Sequence, residues 1–162
     1  MAIRSKIMPH PVIGHVHLKV TNLERSIAFY QNALGLDLIQ RYGTGAAFLS
    51  WGGYHHHIGL NTWHSKNGEP APVTSAGLYH LAILYPTRSD LANALKRLIE
   101  NGVQIDGASD HGVSEAIYFR DPDGNGIEIY WDKPREAWPT QDGELQMVTE
   151  PLELSELLQI AQ

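Results

Sequence analysis

The sequence contains no cysteine, which excludes disulfides, zinc–thiolate centres and cysteine nucleophiles. Basic residues are also few, because 12 Lys and Arg stand against 18 Asp and Glu, for a formal net charge of −6. A nucleic-acid surface needs clustered positive charge, so no nucleic-acid partner is expected. No apolar run approaches the roughly 20 residues of a membrane-spanning helix. Residues 1–11 lack the apolar stretch of a signal peptide. These absences predict a cytoplasmic protein with no membrane partner.

Histidine, in contrast, is abundant, with nine residues in a chain of 162, three of them consecutive. Hydrophobic residues make up 43% of the chain and charged residues 19%, which is typical of a globular domain with its own core. The histidines are therefore the feature that calls for a functional explanation.

An internal repeat relates residues 14–34 to residues 77–99. Each copy has the pattern of a strand, a capping turn and an amphipathic helix, and His15 and His80 occupy equivalent places at the start of the two strands. Thr21 or Asn22 is expected to cap the first helix and Ser89 or Asp90 the second, with Gly35 and Gly102 closing them.

Short strands are expected after each helix, at residues 37–42, 46–51 and 55–62 and again at 103–106, 114–120 and 126–131. The turn at 121–126 predicts a hairpin between the last two. The fold class is therefore α+β, with two paired β-α-β-β-β modules that form a cup-shaped mixed sheet with helices on the outside. The expected divisions are an N-terminal segment 1–11, module one 12–63, a linker 64–76, module two 77–132 and a C-terminal extension 133–162. A short helix is expected at residues 154–160, after a loop that reaches about Val148.

Alternation along the strands places His15, His80 and Glu128 on the faces opposite the apolar core. A single strand histidine is more often a surface or packing residue. Two equivalent histidines, together with a glutamate inside an apolar run, favour a metal site, since a buried carboxylate is costly unless it is paired or bound to a metal. His10 and His17 are not expected to be ligands. Two imidazoles and one carboxylate suit non-haem Fe(II), and Mn(II), Co(II) or Zn(II) would accept the same ligands.

The segments 14–20, 29–35 and 121–128 together resemble the vicinal oxygen chelate superfamily. That superfamily includes glyoxalase I, fosfomycin-resistance transferases, bleomycin-binding proteins and type I extradiol dioxygenases. The segments 77–83 and 113–118 are most similar to its catechol 2,3-dioxygenase-like branch, and the resemblance covers about residues 12–134.

The resemblance implies a role for each of several residues. The extradiol His-His-Glu triad falls on His15, His80 and Glu128. The tyrosine that this branch carries ten residues before its glutamate ligand falls on Tyr118, and the histidine of the preceding loop falls on His111. An acid–base histidine on the last strand of module one falls on His57, with His56 as the next choice within the run of three.

The function implied is extradiol ring cleavage of a catechol-like aromatic diol with O2 at a Fe(II) centre, in a homodimer. Mn(II) or another divalent metal is the alternative cofactor. Larger extradiol enzymes usually have four modules, and this chain has one pair, so the identity of the diol does not carry over.

Three other functions stay open. A glyoxalase-type isomerase needs a carboxylate where His57 stands, which counts against it. A fosfomycin thiol transferase needs a cationic pocket, and only Lys19 clearly supplies positive charge on the cup. A non-enzymatic antibiotic-binding protein would not need the metal triad.

Overall fold

The computed structural model describes residues 11–162. His10 and nearly all of the expected segment 1–11 lie outside the described residues. The division into segments, modules and linker stays a prediction.

The first half of the chain contains β1 (Val16–Lys19), α1 (Leu23–Asn32), β2 (Asp37–Tyr42), β3 (Ala46–Ser50) and β4 (Ile58–Asn61). The strand order is β1-β4-β3-β2, with β1 parallel to β4 and the other pairs antiparallel.

The second half repeats this plan with β5 (Leu81–Leu84), α2 (Arg88–Glu100), β6 (Ile105–Asp110), β7 (Ser114–Arg120) and β8 (Gly126–Asp132). Its order is β6-β7-β8-β5, with β5 parallel to β8. The repeat inferred from the sequence therefore corresponds to two modules of equal topology, and the α+β fold class is confirmed.

The C-terminal extension is more structured than the expected loop. After a 3-10 turn at Arg135–Ala137 come β9 (Thr140–Gln141), β10 (Glu144–Leu145), β11 (Glu150–Pro151) and α3 (Leu154–Leu158). Strand β11 adds to the edge of the second sheet by pairing with β6. Helix α3 packs against α2 and buries Leu157 completely, so the extension contributes to the apolar core.

The helix caps agree with the sequence at one helix and not at the other. Asn22 caps α1, where its side chain accepts a hydrogen bond from the Arg25 backbone N–H. Helix α2 is capped by Thr87 and not by Ser89 or Asp90. The apolar pattern that predicted its start begins only at Leu91, because the first turn of the helix is polar. Gly35 and Gly102 follow the helices with φ of +73° and +68°, a conformation that favours glycine.

Several strand boundaries differ from those expected. Strands β1, β4 and β5 are shorter, so that His15, His57 and His80 lie directly before the strands to which they were assigned. Strand β6 begins later than residue 103 and continues to Asp110, where it pairs with Glu150 of β11. That pairing is a long-range contact that no local pattern indicates.

The two modules share one apolar core, which buries residues of α1, α2 and both sheets. Two polar contacts also join the modules. The Tyr30 hydroxyl of α1 donates to Asp121 Oδ2 at 3.0 Å, and Arg25 forms an ion pair with Asp123 at 2.7 Å. Within residues 11–162 no ladder of hydrogen bonds joins β1 to β5. A cavity lies between these two edges. In the same part of the chain, none of the helices has the length and apolar character needed to cross a membrane.

Candidate metal centre

His80 and Glu128 are in direct contact on one face of the second sheet. Ala82 of β5 is opposite Glu128 of β8 in register, and His80 lies two residues before Ala82 on the same face. His80 Nε2 is 2.9 Å from Glu128 Oε2. The Glu128 side chain is only 13% exposed, as expected for a carboxylate in an apolar strand that has a partner.

Tyr118 and His111 continue this contact into a chain of polar groups. Tyr118 is the cross-strand neighbour of Glu128 on β7, and its hydroxyl lies 3.4 Å from Glu128 Oε1. His111 Nε2 lies 2.7 Å from the same hydroxyl. Burial, with the nearby Glu128 charge, raises the pKa of Tyr118 to about 12, so that the phenol keeps its proton at neutral pH.

His15 lies on the other side of the cavity between the modules. The Val16 N–H donates to the His57 carbonyl at 3.0 Å, which places His15 beside the start of β4. Its ring packs against His56, with centroids 4.4 Å apart. His15, His57 and His80 all line this cavity, which has a volume of about 580 Å³.

The structure therefore brings two of the three expected ligands into contact and leaves the third across the cavity. Within residues 11–162, no group of three or more histidine or acidic side chains is close enough together to hold a metal ion. The donor types nevertheless fit a divalent metal, since His80 and Glu128 offer nitrogen and oxygen atoms at hydrogen-bond distance from each other. His15 supplies the third donor only if the facing edges of the two modules approach each other.

His57 is oriented by a neighbour that the sequence analysis did not identify. Its Nδ1 lies 2.8 Å from the Ser50 hydroxyl, and that hydroxyl can donate to the Trp51 carbonyl at 3.2 Å. The Trp51 N–H also donates to Nδ1, at the longer distance of 3.4 Å, and is the weaker contact. Burial, with a smaller effect of His55, lowers the pKa of His57 and favours its neutral form. Ser50 could be found from the sequence only if the β3–β4 register were known.

His56 occupies a different environment from that of His57. Its ring packs against His15 and Phe48, and its Nδ1 lies 2.7 Å from that of His55. Burial, followed by the charge of His15, lowers the pKa of His56. Its neighbours are therefore mainly other rings, whereas His57 has a hydroxyl partner.

A second cavity of about 350 Å³ adjoins His80 and Tyr118. Arg120 lies at its edge, where it pairs with Asp106 at 3.1 Å and donates to the Gly124 carbonyl. Arg120 was not among the residues predicted from the sequence, because an arginine that ends a strand carries no signal of its own.

Comparison with known proteins identifies the family. The sequence profile of the Glyoxalase/Bleomycin resistance protein/Dioxygenase superfamily matches residues 12–129. The chain belongs to this superfamily. The resemblance inferred from the motifs is thereby confirmed.

Enzymes of this superfamily with different reactions are similar to the chain. It is 40% identical over 151 residues to Catechol-2,3-dioxygenase of Bacillus subtilis, covering 92% of the chain but 52% of that protein. The chain thus spans about half the length of this relative. It is 30% identical over 127 residues to a manganese-dependent 2,3-dihydroxybiphenyl 1,2-dioxygenase of Geobacillus genomosp. 3, covering 75% of the chain and 38% of the relative.

Lactoylglutathione lyase of Neisseria meningitidis is 32% identical over 124 residues, covering 74% of the chain and 89% of the lyase. Among solved structures, a glyoxalase/dioxygenase from Nostoc punctiforme superposes with a TM-score of 0.64 at 22% identity, covering 82% of the chain and 100% of that structure. This last likeness concerns the fold alone. The relatives are thus enzymes, and metal dependence occurs among them.

Proposed function

We propose that this chain is an extradiol-type dioxygenase that cleaves the ring of a catechol-like diol with O2. The observation that carries the proposal is the contact of His80, Glu128 and Tyr118 on one sheet face, in a chain 40% identical to a catechol-2,3-dioxygenase. The relative is about twice as long as this chain, so the diol itself stays open.

His15, His80 and Glu128 would hold the metal, with Fe(II) favoured and Mn(II) the alternative. Their two nitrogens and one carboxylate are the donor set of non-haem Fe(II) oxygenases. When bound, such a metal brings the diol and O2 together and allows electrons to pass from one to the other. The manganese-dependent relative supports keeping Mn(II) as an alternative.

His57 is the acid–base group in this proposal. If Ser50 donates its one hydroxyl hydrogen to the Trp51 carbonyl, its oxygen accepts from His57 Nδ1–H, and the longer Trp51 N–H contact to Nδ1 is given up. His57 Nε2 is then free to take a proton from a diol hydroxyl and to return it later. The lowered pKa keeps the imidazole in the neutral form that a base requires. His56 is the alternative, although its ring nitrogens have no such hydroxyl partner among the described residues.

Tyr118 and His111 would orient the bound oxygen substituents. Both side chains are partly buried beside Glu128, and they contact each other at 2.7 Å. The Tyr118 phenol keeps its proton because its pKa is about 12, so it does not act as a base, and its oxygen can accept a hydrogen bond from a diol hydroxyl.

A glyoxalase-type isomerase is the second candidate, because the chain covers 89% of the length of a lactoylglutathione lyase. In the described strand β4, however, the residues on the face of His57 are Gly59 and Asn61, and neither offers the carboxylate that this chemistry would use.

The test of the proposal is anaerobic reconstitution with Fe(II), then addition of air and a panel of catechols, with absorbance of a coloured ring-fission product as the readout. Glu128→Ala should bind little metal and form no product. Glu136→Ala removes an exposed carboxylate from the 3-10 turn and should behave as the wild type. Stoichiometric metal without product from any catechol would refute the dioxygenase proposal and favour the isomerase.

The homodimer and the cytoplasmic location also remain proposals. Strands β1 and β5 each have one described neighbour, and their free edges flank the cavity that separates His15 from His80. Pairing of β1 from one chain with β5 of another would bring these histidines together. Mixing His15→Ala with Glu128→Ala should then restore part of the activity, whereas a site within one chain gives no restoration.

A further inference from the structure

The C-terminal strap, defined as residues 138–151, folds back onto the loop that carries His111. The Val148 N–H donates to the His111 carbonyl at 3.1 Å, and the Val148 carbonyl lies 3.0 Å from His111 Nδ1. Next to them, Glu150 of β11 lies opposite Asp110 of β6 in the antiparallel strand pairing at the edge of the sheet. The strap is thus bound to this loop on both sides of the imidazole contact.

These contacts determine which nitrogen of His111 carries the proton. A carbonyl oxygen can only accept, so Nδ1 must be the donor in its 3.0 Å bond to Val148, while the Thr149 hydroxyl lies farther from Nδ1, at 3.4 Å. A neutral imidazole has a single N–H, which leaves Nε2 as an acceptor. The Tyr118 hydroxyl lies 2.7 Å from that Nε2 and donates to it.

The same hydrogen cannot also serve Glu128. Tyr118 has one hydroxyl hydrogen, and the distance from its oxygen to Glu128 Oε1 is longer, at 3.4 Å. With Nδ1 of His111 protonated, Glu128 therefore receives no hydrogen bond from Tyr118. In the opposite tautomer, His111 Nε2–H would donate to Tyr118, and the Tyr118 hydrogen would turn to Glu128.

We propose that the C-terminal strap is a positioning element: the Val148 carbonyl holds His111 as its Nδ1–H tautomer, which directs the Tyr118 hydrogen away from Glu128. The carboxylate keeps its full charge for a metal. The catalytic consequence rests on the proposed dioxygenase function, whereas the tautomer does not.

Gly112 provides a selective way to displace the strap. A Cβ at this position would lie 2.8 Å from Pro139 Cγ and 3.3 Å from Val148 Cγ2, so Gly112→Ala pushes both away from the loop that carries His111. Gly102→Ala is the matched control, because Gly102 has a similar φ (+68° against +75°) and no atom within 4 Å of its would-be Cβ. Pro139→Gly removes the nearest contact, so the pair Gly112→Ala/Pro139→Gly should recover the wild-type arrangement.

The tautomer is measured directly by NMR of the full-length, metal-free chain with 15N-labelled histidine, above the ordinary imidazole pKa of about 6.5. Comparison with His111→Gln identifies the signals. The wild type, Gly102→Ala and the double variant should show the proton on Nδ1. Gly112→Ala should lose that preference. A wild-type proton on Nε2, or an unchanged tautomer in a folded Gly112→Ala, would overturn the proposal. The wild-type spectrum decides even if Gly112→Ala does not fold.

Mn(II) titration by calorimetry measures the consequence. A hydrogen bond from Tyr118 would compete with the metal for the Glu128 carboxylate, so Gly112→Ala should bind Mn(II) more weakly than Gly102→Ala, within the about 10- to 100-fold range of outer-shell effects on metal sites. The double variant should regain most of the affinity. Equal affinity in all variants would refute the effect on Glu128. Because neither readout needs a diol, a failed ring-cleavage assay would count against the proposed function and not against the role of the strap.

Discussion

The substitution Gly126→Ala tests how His80 is positioned. Gly126 opens β8 beside residues 79 and 80, and a Cβ there would overlap the Tyr79 carbonyl oxygen and approach His80 Cβ to 3.1 Å. The Tyr79 oxygen belongs to the backbone, so no rotamer change relieves the overlap and the segment before β5 must move. Because overpacking costs about 1–3 kcal/mol, we expect a loss of stability of that size. In a chain of 162 residues it corresponds to about 2–4 °C in Tm per kcal/mol.

The same movement should weaken metal binding, because it shifts His80 relative to Glu128. The two proposed ligand atoms, His80 Nε2 and Glu128 Oε2, are now only 2.9 Å apart. Loss of ligand orientation typically costs about 10- to 100-fold in metal affinity, or about 1.4–2.8 kcal/mol. The assay is calorimetric titration with Mn(II), beside urea unfolding for stability. Gly77→Ala is the control, since its Cβ would meet no atom within 4 Å and it lies three residues ahead of His80.

A double-mutant cycle shows whether the effect acts through His80. If it does, Gly126→Ala should cause no further loss of affinity in a His80→Ala background, since the group it displaces is gone. A fully additive loss in the double variant would refute the reasoning. Wild-type affinity in folded Gly126→Ala would refute it as well.

Other perturbations address the join between the modules and the acid–base group. Tyr30→Phe removes a hydrogen bond to Asp121, whose carboxylate keeps three other donors. We therefore expect the free energy of unfolding in urea to fall by about 1–2 kcal/mol, and no loss would mean that the contact is not stabilising. Burial raises the pKa of Asp121 above its ordinary 3.8, so the folded state holds this proton more tightly. As the pH rises above 3.8, the free energy of unfolding of the wild type should therefore fall relative to that of Asp121→Asn. A difference between the two proteins that does not change with pH would contradict the raised pKa of Asp121. His57→Phe should retain metal and lose most turnover, whereas His56→Phe should lose less; the reverse order would make His56 the acid–base group.

The sequence was most informative where the physics is local or periodic. Strand alternation placed Leu18 and Ile129 in the core and left Glu128 on the opposite face, and the structure agrees. The repeat gave His15 and His80 equivalent positions, because the same strand–turn–helix pattern occurs twice. Asn22 could be recognised as a cap because a cap acts over three residues.

Tertiary structure alone decided the contacts that join distant segments. The Ser50 bond to His57 depends on the β3–β4 register, and the Val148 bond to His111 uses a backbone carbonyl, a group that every residue has. The distance from His15 to the pair of His80 and Glu128 depends on how the two modules pack. Alternation fixes the side of a sheet on which a residue lies, but not the separation between two sheets. The sequence therefore determined which residues face the candidate centre, and the packing of the modules determined which of them touch.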